Sequence, residues 1–175
     1  YHHVAMEYDP VTSEVSQKET VHPLQLLTLN DIRSQLLESN PVLEAFGNSQ
    51  TIRNDNSSRF GKYLELQFNL AGNLIGGKVS TYLLEKARLV HQSANEKNFH
   101  VFHLFTQGSD PKEREQYFLD SAENYHYLQY SNRKLEGDEE KFTLSILRDS
   151  MRKIGIDAQM QNDIFQLLSA ILSMG

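Results

Sequence analysis

The 175-residue sequence has no cysteine, no tryptophan and only four prolines. The lack of cysteine excludes disulfides, thiolate nucleophiles and cysteine-ligated zinc, and it suits a reducing compartment. No apolar run approaches the ~20 residues needed to cross a bilayer. The first residues also lack the charged segment and apolar core of a secretory signal. The expectation is a cytoplasmic protein with no membrane insertion. Basic charge is in short supply as well: 17 Lys and Arg against 23 Asp and Glu leave a net charge of −6, with no long basic run. Binding to a nucleic-acid backbone requires a concentrated basic surface, so nucleic acid is not an expected partner.

A hydrophobic share of 39% with 23% charged residues is ordinary for a globular protein, and the length is near that of one domain, enough to permit a core. Within it one stretch is chemically distinctive. Residues 54–62 read Asn-Asp-Asn-Ser-Ser-Arg-Phe-Gly-Lys and pass directly into Tyr-Leu-Glu-Leu-Gln-Phe, which alternates as a strand does. Recognising a transferring phosphoryl group takes donors aimed at its oxygens, a hard oxygen ligand for Mg²⁺ and a fixed cation. Ser57 and Ser58 can supply hydroxyl donors or a metal oxygen, and Arg59 carries a permanently charged planar fork suited to carboxylate or phosphate. The same composition also serves an ordinary turn, because Asn, Asp and Ser favour turns.

The flanking pattern divides the chain into further elements. Residues 1–27 read as a mostly polar surface loop, with Pro10 and Pro23 discouraging a continuous helix. From Thr28, Leu29, Ile32, Leu36 and Leu37 recur at helical spacing. Asn40-Pro41 predicts an interruption, followed by a second helix stopped at Gly47-Asn48. Residues 62–70 predict a strand, 71–77 a hairpin connection using Gly72 and the Gly76-Gly77 pair, and 79–90 a returning strand. A glycine pair can also cradle phosphate, but a cradle follows a strand and opens a helix, whereas this one joins two strands.

Residues 95–107 predict an apolar helix through Phe99, Val101, Phe102, Leu104 and Phe105. His100 and His103 stand three apart on it without a third ligand at metal spacing, so they read as core or rim residues. Asp110-Pro111 opens a short helix, and Tyr125, Tyr127 and Tyr130 pack locally. Residues 137–140 mark an acidic helix start. Phe142, Ile146, Leu147, Met151 and Ile154 then form one stripe closed by Gly155, and Asp157 caps a last helix carrying Ile164, Phe165, Leu168 and Leu172.

Residues 40–48 (Asn-Pro-Val-Leu-Glu-Ala-Phe-Gly-Asn), then Thr51, Arg53 and the loop, then residues 81–90 (Thr-Tyr-Leu-Leu-Glu-Lys-Ala-Arg-Leu-Val) resemble the myosin motor domain in wording and order. The likeness continues through residues 95–103, the tyrosine-rich 125–128 and the final Ile-Leu-Ser-Met-Gly, and covers the chain from Leu26 onward. Several long motifs in the right order are far more specific than one short motif.

The resemblance implies an α/β fragment of the P-loop-NTPase-type myosin head, a strand hairpin from the central sheet with flanking helices. Residues 1–27 would be a variable loop region, 28–61 helices and switch I, 62–90 transducer strands and 91–175 the helical upper part. The implied activity is that of an actin-activated Mg-ATPase, a cytoskeletal motor with ATP, Mg²⁺ and actin filaments as cofactor and partners. By the same resemblance Asn54 contacts nucleotide phosphates, Ser57 helps place the attacking water, Ser58 ligates Mg²⁺, and Arg59 bridges to a glutamate of switch II. The sequence contains neither a phosphate-binding loop ending Gly-Lys-Ser/Thr nor the Asp…Gly-Phe-Glu pattern of switch II. Arg59 is therefore expected to lack its partner, the remainder of the head is an expected partner, and the 175 residues alone are expected to be inactive. The alternative reading is a non-catalytic remnant or interaction module derived from such a head.

Overall fold

Residues 23–129 and 143–175 are described by the computed structural model. The first element, helix α1, spans Pro23–Gly47 and runs without interruption through Pro41, where the sequence predicts a break between two helices. Proline removes one helical hydrogen bond, that to the carbonyl of residue 37. Leu37 is itself an exposed residue, and packing of the α1 face carrying Ala45 favours one rod.

Two strand pairs follow. β1 (Asn48–Ser49) and β2 (Ser57–Ser58) form a two-residue antiparallel clamp around the intervening loop. β3 (Gly61–Phe68) and β4 (Leu74–Tyr82) form the longer antiparallel hairpin. Its connection is shorter than predicted. Asn69 Oδ1 accepts the N–H groups of Ala71 (3.0 Å) and Asn73 (2.8 Å), and Gly72 supplies the positive φ of 80°. Gly76 and Gly77 thus lie inside β4, opposite Gln67 and Leu66. The role of Gly77 is close approach: a Cβ there would come within 2.8 Å of the Leu36 side chain, so its absence lets α1 lie against the hairpin.

β4 ends at Tyr82, earlier than the predicted strand, because Leu83 turns into the left-handed region (φ 55°) and a 3-10 turn over Lys86–Leu89 follows. The helix predicted from residue 95 begins only at His100 (α2, His100–Gly108). The residues before it bond back to the loop instead: Lys97 donates its N–H to the Gln50 carbonyl (2.9 Å), and Phe99 bridges to Ser49.

The predicted caps are in place further on. Helix α3 (Pro111–Gln116) opens with a reciprocal capping box between Asp110 and Glu113. Tyr125 is buried, and its hydroxyl accepts the Asp120 N–H. Tyr130, residues 137–140 and Phe142 lie outside the described residues. α4 (Leu144–Lys153) is closed by Gly155 at φ 92°, and α5 (Ala158–Met174) is capped by Asp157. Phe105, Leu147, Met151, Phe165 and Leu172 fill the core between α2, α4 and α5, with the Phe105, Tyr117 and Phe165 rings 4.9–6.2 Å apart.

Candidate functional site

The loop between β1 and β2 is built from its own side chains. Thr51 Oγ1 donates to the Asn54 carbonyl and accepts the Asn54 N–H, both at 3.1 Å, which closes a turn over residues 51–54. Asn54 Oδ1 then accepts the Asn56 N–H (2.9 Å), and Gln50 Nε2 donates to Asp55 Oδ1 (2.9 Å). Asn56 reaches outward from the loop: its Oδ1 accepts from Asn48 Nδ2 (3.0 Å) and meets His100 Nε2 (3.1 Å), while its Nδ2 donates to Glu44 Oε2 (3.2 Å). At the exit the Arg59 N–H donates to the Gly47 carbonyl (2.8 Å). Asn and Asp thus do in the folded loop what their turn chemistry predicts.

The four residues singled out by sequence are held differently. Asn54 sits at the loop tip and is occupied by Thr51 and Asn56, with no hydrogen bond to the other three. Ser58 is exposed and donates its hydroxyl proton to the Phe60 carbonyl (2.9 Å). Ser57 and Arg59 are brought together: Arg59 Nη1 donates to Ser57 Oγ at 3.2 Å. Arg59 is also not without a carboxylate. Its Nε donates to Glu85 Oε2 at 2.6 Å, so a glutamate just beyond the hairpin holds it.

Glu85 in turn belongs to a network that the sequence did not single out. Its Oε2 also accepts from Arg88 Nε (2.7 Å); Arg88 Nη2 donates to Glu96 Oε2 (3.0 Å) and Nη1 to the Lys97 carbonyl (3.1 Å). The Arg88 side chain is only 4% exposed. A buried guanidinium is tolerated only when its charge and donors are met, which two glutamates and a carbonyl do here. The available signal was the Glu-Lys-Ala-Arg spacing, an i,i+3 acid–base pair.

Burial alone would raise the Glu85 carboxyl, but hydrogen bonds and charge from Arg59 and Arg88 outweigh it, and its pKa lies below the usual carboxylate value. For Arg88 burial would lower the pKa, yet Glu85 and Glu96 raise it. His100 is pushed down by burial and by the Lys97 charge, only partly opposed by Glu44. His103 is pushed down to about 3, chiefly by burial and then by Lys97 and His100, and is neutral at ordinary pH. Beneath the loop, Asn48 Oδ1, Ser49 Oγ and Gln50 Oε1 are buried without hydrogen-bond partners. Among the described residues no cluster of three or more His, Asp or Glu could hold a metal ion.

A family model described as the myosin head (motor domain) matches residues 4–175. Myosin IA heavy chain of Dictyostelium discoideum is 45% identical over 148 residues, covering 82% of this chain and 15% of its own length. Unconventional myosin heavy chain 6 of Caenorhabditis elegans is 46% identical over 145 residues, 82% of this chain and 7% of its own length. The non-muscle myosin heavy chain of Drosophila melanogaster is 36% identical over 163 residues, 90% of this chain and 8% of its own length. The chain therefore spans between 7% and 15% of the length of these relatives.

Proposed function

Because the chain belongs to the myosin head (motor domain) family, we propose that it is an internal portion of an actin-based cytoskeletal motor that hydrolyses ATP, and that residues 54–59 act as its switch I. The observation carrying this reading is the state of Arg59: a loop of self-bonded Asn and Ser side chains ends in a guanidinium fixed at Nε and bonded to a serine hydroxyl. A fixed cation beside hydroxyl donors is what phosphoryl transfer requires, since the gain comes from positioning and electrostatics.

Each residue has a distinct part in this reading. Asn54 contacts the nucleotide phosphates from the loop tip. Ser57, oriented by Arg59, helps place the attacking water. Ser58 contributes one oxygen to Mg²⁺. Its chemistry suits a metal ligand, because the hydroxyl proton is committed to the Phe60 carbonyl and the oxygen of this exposed residue keeps its lone pairs for a cation. Mg²⁺ takes few protein ligands and completes its shell with phosphates and waters, so one hydroxyl here fits the donor set. When bound, Mg²⁺ supplies neutralisation of the charge on the phosphate oxygens. Arg59 offers its remaining N–H groups to a carboxylate of switch II. Actin filaments are engaged through regions mostly outside these residues, and the remainder of the head completes the phosphate site.

In the complete motor, Arg59→Ala slows single-turnover ATP hydrolysis by about a hundredfold. A near-normal rate overturns the switch I reading. A second reading, an interaction module derived from a head that no longer turns over ATP, draws on the same pair: with Glu85 as acceptor, the Arg59 charge is paired without any phosphate site. The Arg59→Ala rate separates the two.

A further inference from the structure

Arg59 and Glu85 are linked twice. The Glu85 N–H donates to the Arg59 carbonyl (2.9 Å), and the Arg59 Nε–H donates to Glu85 Oε2 (2.6 Å). Backbone and side chain therefore fix the same pair, 26 residues apart, across the base of the hairpin.

Sharing one carboxylate oxygen between two arginines brings like charges together. The arrangement holds because the second arginine is committed elsewhere: Arg88 Nη1 and Nη2 are bonded to the Lys97 carbonyl and to Glu96. Lys97 closes the circuit by donating its N–H to the Gln50 carbonyl, and the Gln50 side chain bonds Asp55 within the loop. Glu85 is thus a fixed point relative to both ends of the loop. Leu83, at φ 55°, stands between it and the end of β4, so the regular strand stops there while the chain still runs on beside Arg59.

The guanidinium is rigid and planar, so the nitrogen that is held decides where the others point. Glu85 takes Nε and Ser57 takes one proton of Nη1; among the described residues Nη2 makes no hydrogen bond. The Arg59 side chain is 29% exposed. The edge formed by the two terminal amino groups is therefore open to a second acceptor while Glu85 stays in place.

We propose that Glu85 is a positioning residue for Arg59: it clamps Nε so that the Nη1–Nη2 edge is presented to an incoming carboxylate, with Arg88 as the anchor of the clamp. The two acids do not compete for Arg59; they occupy different edges of it. This rests on the switch I reading of the loop, and it adds an element that reading lacks, a reason why the arginine is already aimed before its partner arrives.

The test is a double-mutant cycle in the complete motor, read by single-turnover hydrolysis and by Mg-ATP affinity. Glu85→Gln keeps the shape and removes the charge; it lowers the hydrolysis rate by about tenfold and changes Mg-ATP affinity by less than about twofold. In an Arg59→Ala background the same change has no further effect. In the 175-residue chain itself, Glu85→Gln speeds solvent exchange of the Arg59 Nε proton. If Arg59→Ala slows hydrolysis but Glu85→Gln does not, the positioning role is wrong and the switch I reading stands. An equal loss from Glu85→Gln with and without Arg59 shows a merely structural role and also overturns the proposal. If Arg59→Ala itself has no effect, it is the underlying reading that fails. Unchanged exchange of the Nε proton shows that the clamp does not hold in solution, whatever the activity.

Discussion

The buried side chain with the clearest solution consequence is His103. It is 4% exposed, and its Nε2 has no hydrogen-bond partner. Burial, with the Lys97 and His100 charges, pushes its pKa from the ordinary 6.5 to about 3. In the unfolded chain the imidazole takes up a proton below pH 6.5; in the folded chain it does not until near pH 3. The stability associated with the neutral ring is thus complete above pH 6.5 and drains away as the pH falls towards 3. Between pH 7.5 and 5 that amounts to about 2 kcal/mol, at roughly 1.4 kcal/mol per unit below the unfolded pKa. Urea unfolding at the two pH values checks this: His103→Leu, which cannot take up the proton, shows a pH dependence smaller by about that amount. An equal slope in both proteins contradicts the assignment. Glu38, Glu85 and Asp120, all with lowered pKa values, lose their contributions at more acid pH, whereas His100, also lowered by burial, titrates in the same window, so it is the difference between the two proteins that reports His103.

Among the elements, α3 shows how a short helix is made to stay. Six residues are too few for a helix to be stable alone. Asp110 Oδ1 accepts the N–H groups of Lys112 (2.8 Å) and Glu113 (2.9 Å), and Glu113 Oε2 accepts the Asp110 N–H (3.2 Å). Glu113 Oε1 also lies 2.8 Å from Arg148 Nη2, and the Arg148 guanidinium stacks 4.3 Å above the Phe165 ring. The cap thereby connects α3 to α4 and to the core of α5. Asp110→Ala lowers the unfolding free energy by about 1 kcal/mol, while Asp110→Asn, which keeps an acceptor oxygen, costs less. Equal urea midpoints for Asp110→Ala and the parent chain contradict this.

At the scale of the whole molecule the β3–β4 hairpin is the least self-sufficient part. Leu64, Leu66 and Phe68 share the face towards α1 with Gly77, yet all three remain exposed, Phe68 by 57%. Two strands that one helix covers only in part are marginal in water, and open edges pair with further strands. A hairpin of this kind suits a place within a larger sheet, in keeping with a chain that covers a small part of its relatives. On the proposed switch I reading the same incompleteness applies to the phosphate site, to which these residues would supply one wall only. Calorimetric titration of the 175-residue chain with Mg-ATP therefore gives no saturable binding at micromolar ligand. Tight, Mg²⁺-dependent binding shows that the loop needs no other wall.

The sequence by itself determined the elements whose signals are local: the loop composition of residues 54–59, the Asp110 and Asp157 caps, the Gly155 stop, and the alternation of β3. It also determined the family, because that is a matter of motif order along the chain. Wherever long-range contacts outweigh local preference, only the tertiary structure decided. Pro41 stays within a helix because one lost backbone bond is small beside the packing of α1. α2 starts late because Lys97 bonds to the Gln50 carbonyl and Phe99, extended against Ser49 of β1, serves as the N-cap. Arg59 finds Glu85 because the hairpin folds residue 85 back onto residue 59, a proximity that no spacing along the chain encodes.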